Sequence, residues 1–228
     1  AGLGCPDWPG CYGTLTVPES VAAIEKAQAN YPESSIDNKK AWIEMIHRYI
    51  AAILGFLILT LAVIAYRKKD EINVKPSLVY GLLGLVIAQG MLGMWTVTEL
   101  LMPIIVSLHL LGGMTTLGLL TYIAHRHWGT VSDTLISLNS SSKKFIRFSL
   151  VILFFQIFLG GWTSTNYAAL ACTDFPTCHG ELIPPMDFSN GFSLWRELGL
   201  TSEGEALTLQ ALQAIQWVHR VGAFIFIS

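Results

Sequence analysis

Charge is what this sequence has least of. Asp, Glu, Lys and Arg supply 13% of its 228 residues, against roughly 25% in an ordinary soluble domain. The shortage excludes intrinsic disorder, which combines low hydrophobicity with high charge. A basic excess is missing too. Fourteen Lys and Arg face 16 Asp and Glu, for a net charge of −2. That argues against nucleic acid as a partner, because little is available to neutralise phosphates. Cysteine is sparse, with four in the chain, none inside an apolar run. What remains is apolar: 52% hydrophobic residues and a mean hydropathy of +0.51. The charges cluster and long stretches between them carry none, a pattern that points to a bilayer. The sequence opens without Met and ends inside the run Ala223–Ser228, so it reads as a fragment of a longer chain. The lack of a signal or transit peptide then carries little weight.

Five apolar segments stand out: Trp42–Tyr66, Pro76–Met94, Ile104–Ala124, Phe145–Tyr167 and the shorter Ala211–Ser228. The first four approach the ~20 residues that cross a hydrocarbon core as a helix. One set of connections holds Arg67, Lys68, Lys69, Lys75, Arg126, Lys143, Lys144 and Arg147, while the opposite ends are acidic. The positive-inside rule makes the basic side cytoplasmic. The expected organisation is an external loop over 1–40, with a short helix around Val21–Asn30. Three helices follow over 41–128, then a cytoplasmic loop over 129–144. The last part, 145–228, holds a helix, a second external loop and a further helix. The fold class is an all-α integral membrane protein, a helix bundle with about five transmembrane helices.

All four cysteines lie in the external loops. Cys5 and Cys11 bracket Cys-Pro-Asp-Trp-Pro-Gly-Cys, and Cys172 and Cys178 bracket Cys-Thr-Asp-Phe-Pro-Thr-Cys. On an oxidising face the plain reading is two local disulfides, Cys5–Cys11 and Cys172–Cys178. A metal site is the alternative, although zinc pairs are usually spaced more tightly. Redox-active cysteines are a third reading.

The doubled motif belongs to a longer internal repeat. Glu44-Met-Ile-His47-Arg48 matches Gln216-Trp-Val-His219-Arg220, and Gln89-x-x-Leu92-Gly93-x-Trp95-Thr96 recurs from Gln156 to Thr163. Repeated halves are a common membrane architecture. The repeat predicts two four-helix halves, with one helix before Ala1 and two after Ser228.

Ionisable residues inside a membrane usually mark function. His47, His109 and His219 all lie a few residues into helices entered from outside, at ~8–12 Å depth by helical rise. Two readings fit: core histidines bonded across helices, and ligands. Zinc would need more hard or thiolate partners. Haem needs axial imidazoles and room for a flat ring. Ala51 and Gly55, Gly112 and Gly113, and Gly222 and Ala223 follow the three histidines on their own helix faces. Glu44 stands one turn before His47, whereas its repeat partner Gln216 cannot ionise. A carboxylate in one half alone is expected if one site reacts and the other transfers electrons or supports the fold.

Together these phrases resemble the haem A synthase family of bacterial type. The carrying residues are the decapeptide from Gly2 to Cys11, Glu44–Arg48, the stretch from Gly90 to Thr96, His109-Leu-Leu-Gly-Gly, the stretch from Gly160 to Tyr167, and His219-Arg-Val-Gly-Ala. The resemblance implies two four-helix halves, each holding a haem near the outer face of a bacterial inner membrane. His47 and His109 would flank the substrate haem O, and His219 would ligate haem b. Glu44 would be catalytic, and Arg48 and Arg220 are candidate propionate contacts. The implied reaction oxidises the C8 methyl of haem O to the formyl of haem A. The electron donor is unspecified. Haem O synthase, oxidase assembly proteins and a second copy of the chain are candidate partners. A di-haem electron-transfer cytochrome and a haem-handling assembly factor are the competing classes.

Overall fold

The computed structural model describes residues 3–68, 74–128 and 139–227. Most of the expected 129–144 loop, together with Ala1, Gly2, Lys69 and Ser228, lies outside the described residues. Among those residues the chain is helical, without named strands. The elements run α1 (Val21–Asn30), α2 (Asn38–Arg67), α3 (Pro76–Thr98), α4 (Pro103–Trp128), α5 (Ser140–Thr165), a 3-10 turn (Ala168–Leu170), α6 (Phe188–Gly191) and α7 (Leu209–Ile227). The short helix read from the first loop is α1.

Helices α2 to α5 start before or at the edge of their apolar runs because local capping sets their ends. The Asp37 carboxylate accepts from the amides of Lys39 and Lys40, which starts α2 four residues before Trp42. Asn139 caps α5 through the amide of Ser142. Pro76 opens α3, where its missing N–H costs nothing. The last turn of α4 carries His125, Arg126 and His127, which suit the negative end of the helix dipole. Among the described residues four helices, α2, α3, α4 and α5, are long and apolar enough to cross a membrane. The fifth expected segment, in α7, is helical over 19 residues but is not among those four. Between 11% and 22% of each spanning window is buried within the protein. Phe56, Leu57, Phe145 and Phe155 point outward. Apolar surface of that extent suits lipid rather than water.

The chain divides into two compact units, one of 1–101 with 112–129 and the other of 102–111 with 130–228. In the first, Cys5, Cys11, Tyr12, Val17, Ala27, Ala41 and Met45 form one core where the first loop folds on the start of α2. Ile58, Ala62, Ala65, Val79, Leu82 and Ile123 form another, where α2 packs on α3. In the second unit, Trp162 of α5, Ala168 and Ile215 of α7 make the core. The indole N–H of Trp162 donates to the Gly191 carbonyl at 2.9 Å, tying α6 to α5.

Candidate functional site

Both cysteine pairs are disulfides, Cys5–Cys11 and Cys172–Cys178. The loops they close share one design. Tyr12-Gly13 and His179-Gly180 each have positive φ at both residues. They form tight turns between the bridged pairs Cys11 and Thr14, and Cys178 and Glu181. Glycine at the second position avoids the steric cost of that conformation. An aspartate holds each turn. Asp7 accepts from the amides of Tyr12 at 2.6 Å and Gly13 at 2.9 Å. Asp174 accepts from His179 at 2.6 Å and Gly180 at 2.9 Å. Thr177 adds its hydroxyl to Asp174. These bonds, Thr177 first, hold the Asp174 carboxyl down at about 2.

Each loop docks on a helix through two side chains four residues apart. On α2, Glu44 Oε2 accepts from the amides of Gly4 at 2.7 Å and Cys5 at 3.2 Å. Its other oxygen pairs with Arg48. Arg48 also donates to the carbonyls of Asp7 at 3.1 Å, Pro9 at 3.2 Å and Gly10. On α7, Gln216 Oε1 accepts from the Cys172 amide at 2.5 Å, and its Nε2 donates to the Ala169 carbonyl at 2.7 Å. Arg220 donates to the carbonyls of Asp174 and Thr177, each at 2.8 Å, and of Cys172 at 3.1 Å. The repeat is therefore a clamp. The first side chain grips the start of the disulfide loop and the arginine grips its middle.

The clamp has a chemical logic. Arg48 and Arg220, the candidate propionate contacts, each lie on loop carbonyls, because the disulfide loops present more than one carbonyl within reach of one planar guanidinium. The difference between Glu44 and Gln216 also has a backbone cause. The first copy offers two N–H donors and a guanidinium, which suit a carboxylate. The second offers one donor and one acceptor, which suit an amide.

His47 and His219 stand one turn after the loop-gripping side chain in each copy. His47 is exposed on α2, while His109 on α4 and His219 on α7 are half-buried. They lie nine residues after Asn38, six after Pro103 and ten after Leu209. Their axial positions from the helix starts thus agree to about one helical turn. The His219 ring is held on two sides by α5. Gln156 Nε2 lies 3.0 Å from its Nδ1 and donates to the His219 carbonyl at 3.1 Å. A Cβ on Gly160 would stand 3.4 Å from its Cε1. Nε2 is the ring nitrogen left to meet a metal, and that role requires the proton on Nδ1 and so the acceptor end of the Gln156 carboxamide turned toward it.

The small residues after the histidines divide in two. A Cβ at Gly222 would collide with Gln156 Oε1, and a Cβ at Gly112 would collide with the Gln89 amide. Gly222 and Gly112, two of the small residues read as leaving room beside the histidines, accommodate the Gln156 and Gln89 amides. At Gly113 nothing lies within 4 Å of an added Cβ.

Several contributors were missed in the sequence. The turn-holding role of Asp7 and Asp174 was legible in the repeated Cys-x-Asp and Cys-x-Gly spacing. Gln89 and Gln156 were visible as a repeated phrase without an assigned purpose. Arg196 gave no signal. It is 3% exposed, donates to Asn166 Oδ1 at 2.5 Å and to the Leu200 carbonyl at 3.2 Å, and lies 5.7 Å over the Trp162 ring. Burial pushes its guanidinium below its ordinary value. No group of three or more His, Cys, Asp or Glu among the described residues is placed to hold a metal ion on its own.

The model of the cytochrome oxidase assembly protein family, COX15-CtaA, matches residues 1–228. A Shewanella oneidensis protein named Heme A synthase is 42% identical over 231 residues, covering 100% of this chain and 68% of its own length. The Heme A synthase of Halalkalibacterium halodurans is 26% identical over 224 residues, covering 96% of this chain and 68% of its own. That of Brucella ovis is 26% identical over 245 residues, covering 98% and 63%. No solved structure matches the chain significantly.

Proposed function

The chain belongs to the haem A synthase family of cytochrome oxidase assembly proteins, and on that premise we propose that it oxidises the C8 methyl of haem O to the formyl of haem A. It acts as a multi-pass protein of a bacterial inner membrane, with its cysteine loops on the external face. Supporting that placement, Arg67, Lys75, Lys143 and Lys144 sit at the helix ends opposite the disulfide loops. The substrate haem O is held through His47 and His109, and haem b through His219. A bound haem b supplies electron transfer. The chain's own residues orient these groups. Glu44, fixed by the amides of Gly4 and Cys5 and by Arg48, stands one turn from His47. From there it positions water or accepts a proton released as the methyl is oxidised.

The observation that carries the reading is the doubled clamp. The same disulfide loop fixes the turn that bears His47 in one copy and His219 in the other, as two similar haem sites require. A second reading is favoured by the likeness of Glu44 to Gln216, namely that Glu44 only anchors its loop. Glu44→Gln in the full-length enzyme separates the two. Conversion of haem O to haem A, followed by chromatography of extracted haems, is expected to fall by about 10²–10⁴-fold, the usual contribution of an acid–base group. An undiminished rate leaves Glu44 as an anchor. Absence of any formyl haem from folded, full-length wild-type preparations loaded with haem O and supplied with reductant and oxygen would overturn the enzyme reading in favour of a carrier or an electron-transfer cytochrome.

A further inference from the structure

Two of the residues through which α5 meets α7, Gln156 and Gly160, stand one turn apart. Both touch His219, and both belong to the phrase that also runs from Gln89 to Thr96. Gly160 brings the α5 backbone against the ring edge at Cε1. Gln156 reaches the ring at Nδ1, 3.0 Å away, and also the His219 carbonyl at 3.1 Å. The approach needs Gly222, one turn after His219, because any Cβ there would collide with the carboxamide. The arrangement has one anomaly. Gln156 Oε1 is buried without a hydrogen-bond partner, and such an acceptor calls for a cause.

An imidazole that binds a metal through Nε2 must carry its own proton on Nδ1. A carboxamide has a donor end and an acceptor end. Rotating the Gln156 amide brings Oε1, partnerless where it stands, onto the Nδ1 proton, in exchange for the Nε2 bond to the His219 carbonyl. We propose that Gln156 is the positioning residue of His219, accepting from its Nδ1–H when Nε2 is bound to haem iron and so fixing the ring's tautomer, orientation and basicity. The inference rests on the proposed role of His219 as a haem ligand. In the first unit the Gln89 amide likewise fills the space left by a glycine, Gly112. Metal-bound histidines generally depend on such an acceptor, and its loss typically costs 10–100-fold in affinity.

The test uses the full-length protein in detergent, with haem titration, optical spectra and the midpoint potential as readouts. Gln156→Leu removes the acceptor. It is expected to weaken haem b binding by about 10–100-fold and to raise the midpoint potential, because the imidazole becomes less basic. Gln156→Glu keeps an acceptor and adds negative charge, so its potential is expected below that of the wild type. Gly222→Ala pushes the amide off the ring and is expected to shift the potential in the same direction as Gln156→Leu. A merely structural glutamine would leave the potential unmoved in every folded variant, and that result overturns the inference. Should Gln156→Leu fail to fold, the opposite shift of Gln156→Glu decides. His219→Ala separates the two levels. If it keeps the haem b spectrum and affinity, the ligand reading falls and Gln156 with it. If it loses haem while the Gln156 variants keep wild-type potentials, only the positioning role falls.

Discussion

Removing the guanidinium of Arg220 tests the clamp most directly. Arg220 donates to the carbonyls of Asp174, Thr177 and Cys172 at 2.8, 2.8 and 3.1 Å. A hydrogen bond from a charged donor contributes about 1.5–3 kcal/mol. Arg220 is half-buried, so solvent competes for these bonds, and they are lost together rather than additively. A total of about 3 kcal/mol follows, near the contribution of one or two such bonds. Gln216 still ties the start of the loop to α7, and the disulfide still closes it. The loop therefore swings away from α7 without unravelling. Cys172 and Cys178 are 5% and 1% exposed, so reduction by a hydrophilic phosphine reports that swing. At 1.4 kcal/mol per tenfold, Arg220→Met is expected to speed reduction of Cys172–Cys178 by about a hundredfold. Cys5–Cys11, clamped separately by Arg48, is the internal control. Arg220→Lys is expected to recover only part of the protection, since an ammonium cannot span three carbonyls as a planar fork does. An unchanged reduction rate, or equal acceleration of both disulfides, would refute the reasoning.

Two further outcomes follow from the same loops. The Asp174 carboxyl, held near 2 by Thr177, Gly180 and His179, has a folded value below its ordinary 3.8. Its stabilising contribution is therefore complete above about pH 4 and is lost as pH falls through about 2. Reduction of Cys172–Cys178 by an acid-tolerant phosphine should accelerate across that window in the wild type. In Asp174→Asn it should be fast already at pH 5, and a flat wild-type profile would contradict the assignment. At Gly4, an added Cβ would stand 2.5 Å from the Lys40 carbonyl carbon and oxygen and 2.7 Å from the Ala41 nitrogen. Backbone atoms of a helix cannot give way, so Gly4→Ala should lift the first loop off Glu44. Mass spectrometry of alkylated peptides is expected to show faster reduction of Cys5–Cys11 with Cys172–Cys178 unaltered.

Much of the fold was legible because it depends on local sums. Apolar runs of sufficient length mark α2 to α5, since the hydrophobic effect adds along the chain without reference to distant residues. Helix α1 was readable from its surroundings. The disulfides were readable because a Cys-x5-Cys loop closes on itself. Helix starts were less legible. Asp37 and Asn139 move the first turn into polar sequence that hydropathy alone assigns to a loop. The site was legible as a set of residues and not as a set of roles. Glu44, Arg48, His219 and Arg220 stand out in the sequence because ionisable groups near apolar segments are costly; their hydrogen-bond partners are not readable there.

Sequence by itself determined that this is a helical membrane protein with a duplicated disulfide loop before a His-Arg turn. Those features follow from composition, spacing and repetition. Only the tertiary structure decided what the polar residues hold. Glu44 meets Gly4 forty positions away, Arg220 meets Cys172 forty-eight away, and Gln156 meets His219 sixty-three away. A carboxylate, guanidinium or carboxamide suits many partners equally well. Which partner it takes is set by the groups that folding leaves within hydrogen-bond reach. Gly112 and Gly222 make the point from the other side. A missing side chain reads in sequence as room, and the packing of a neighbouring helix determines what fills it.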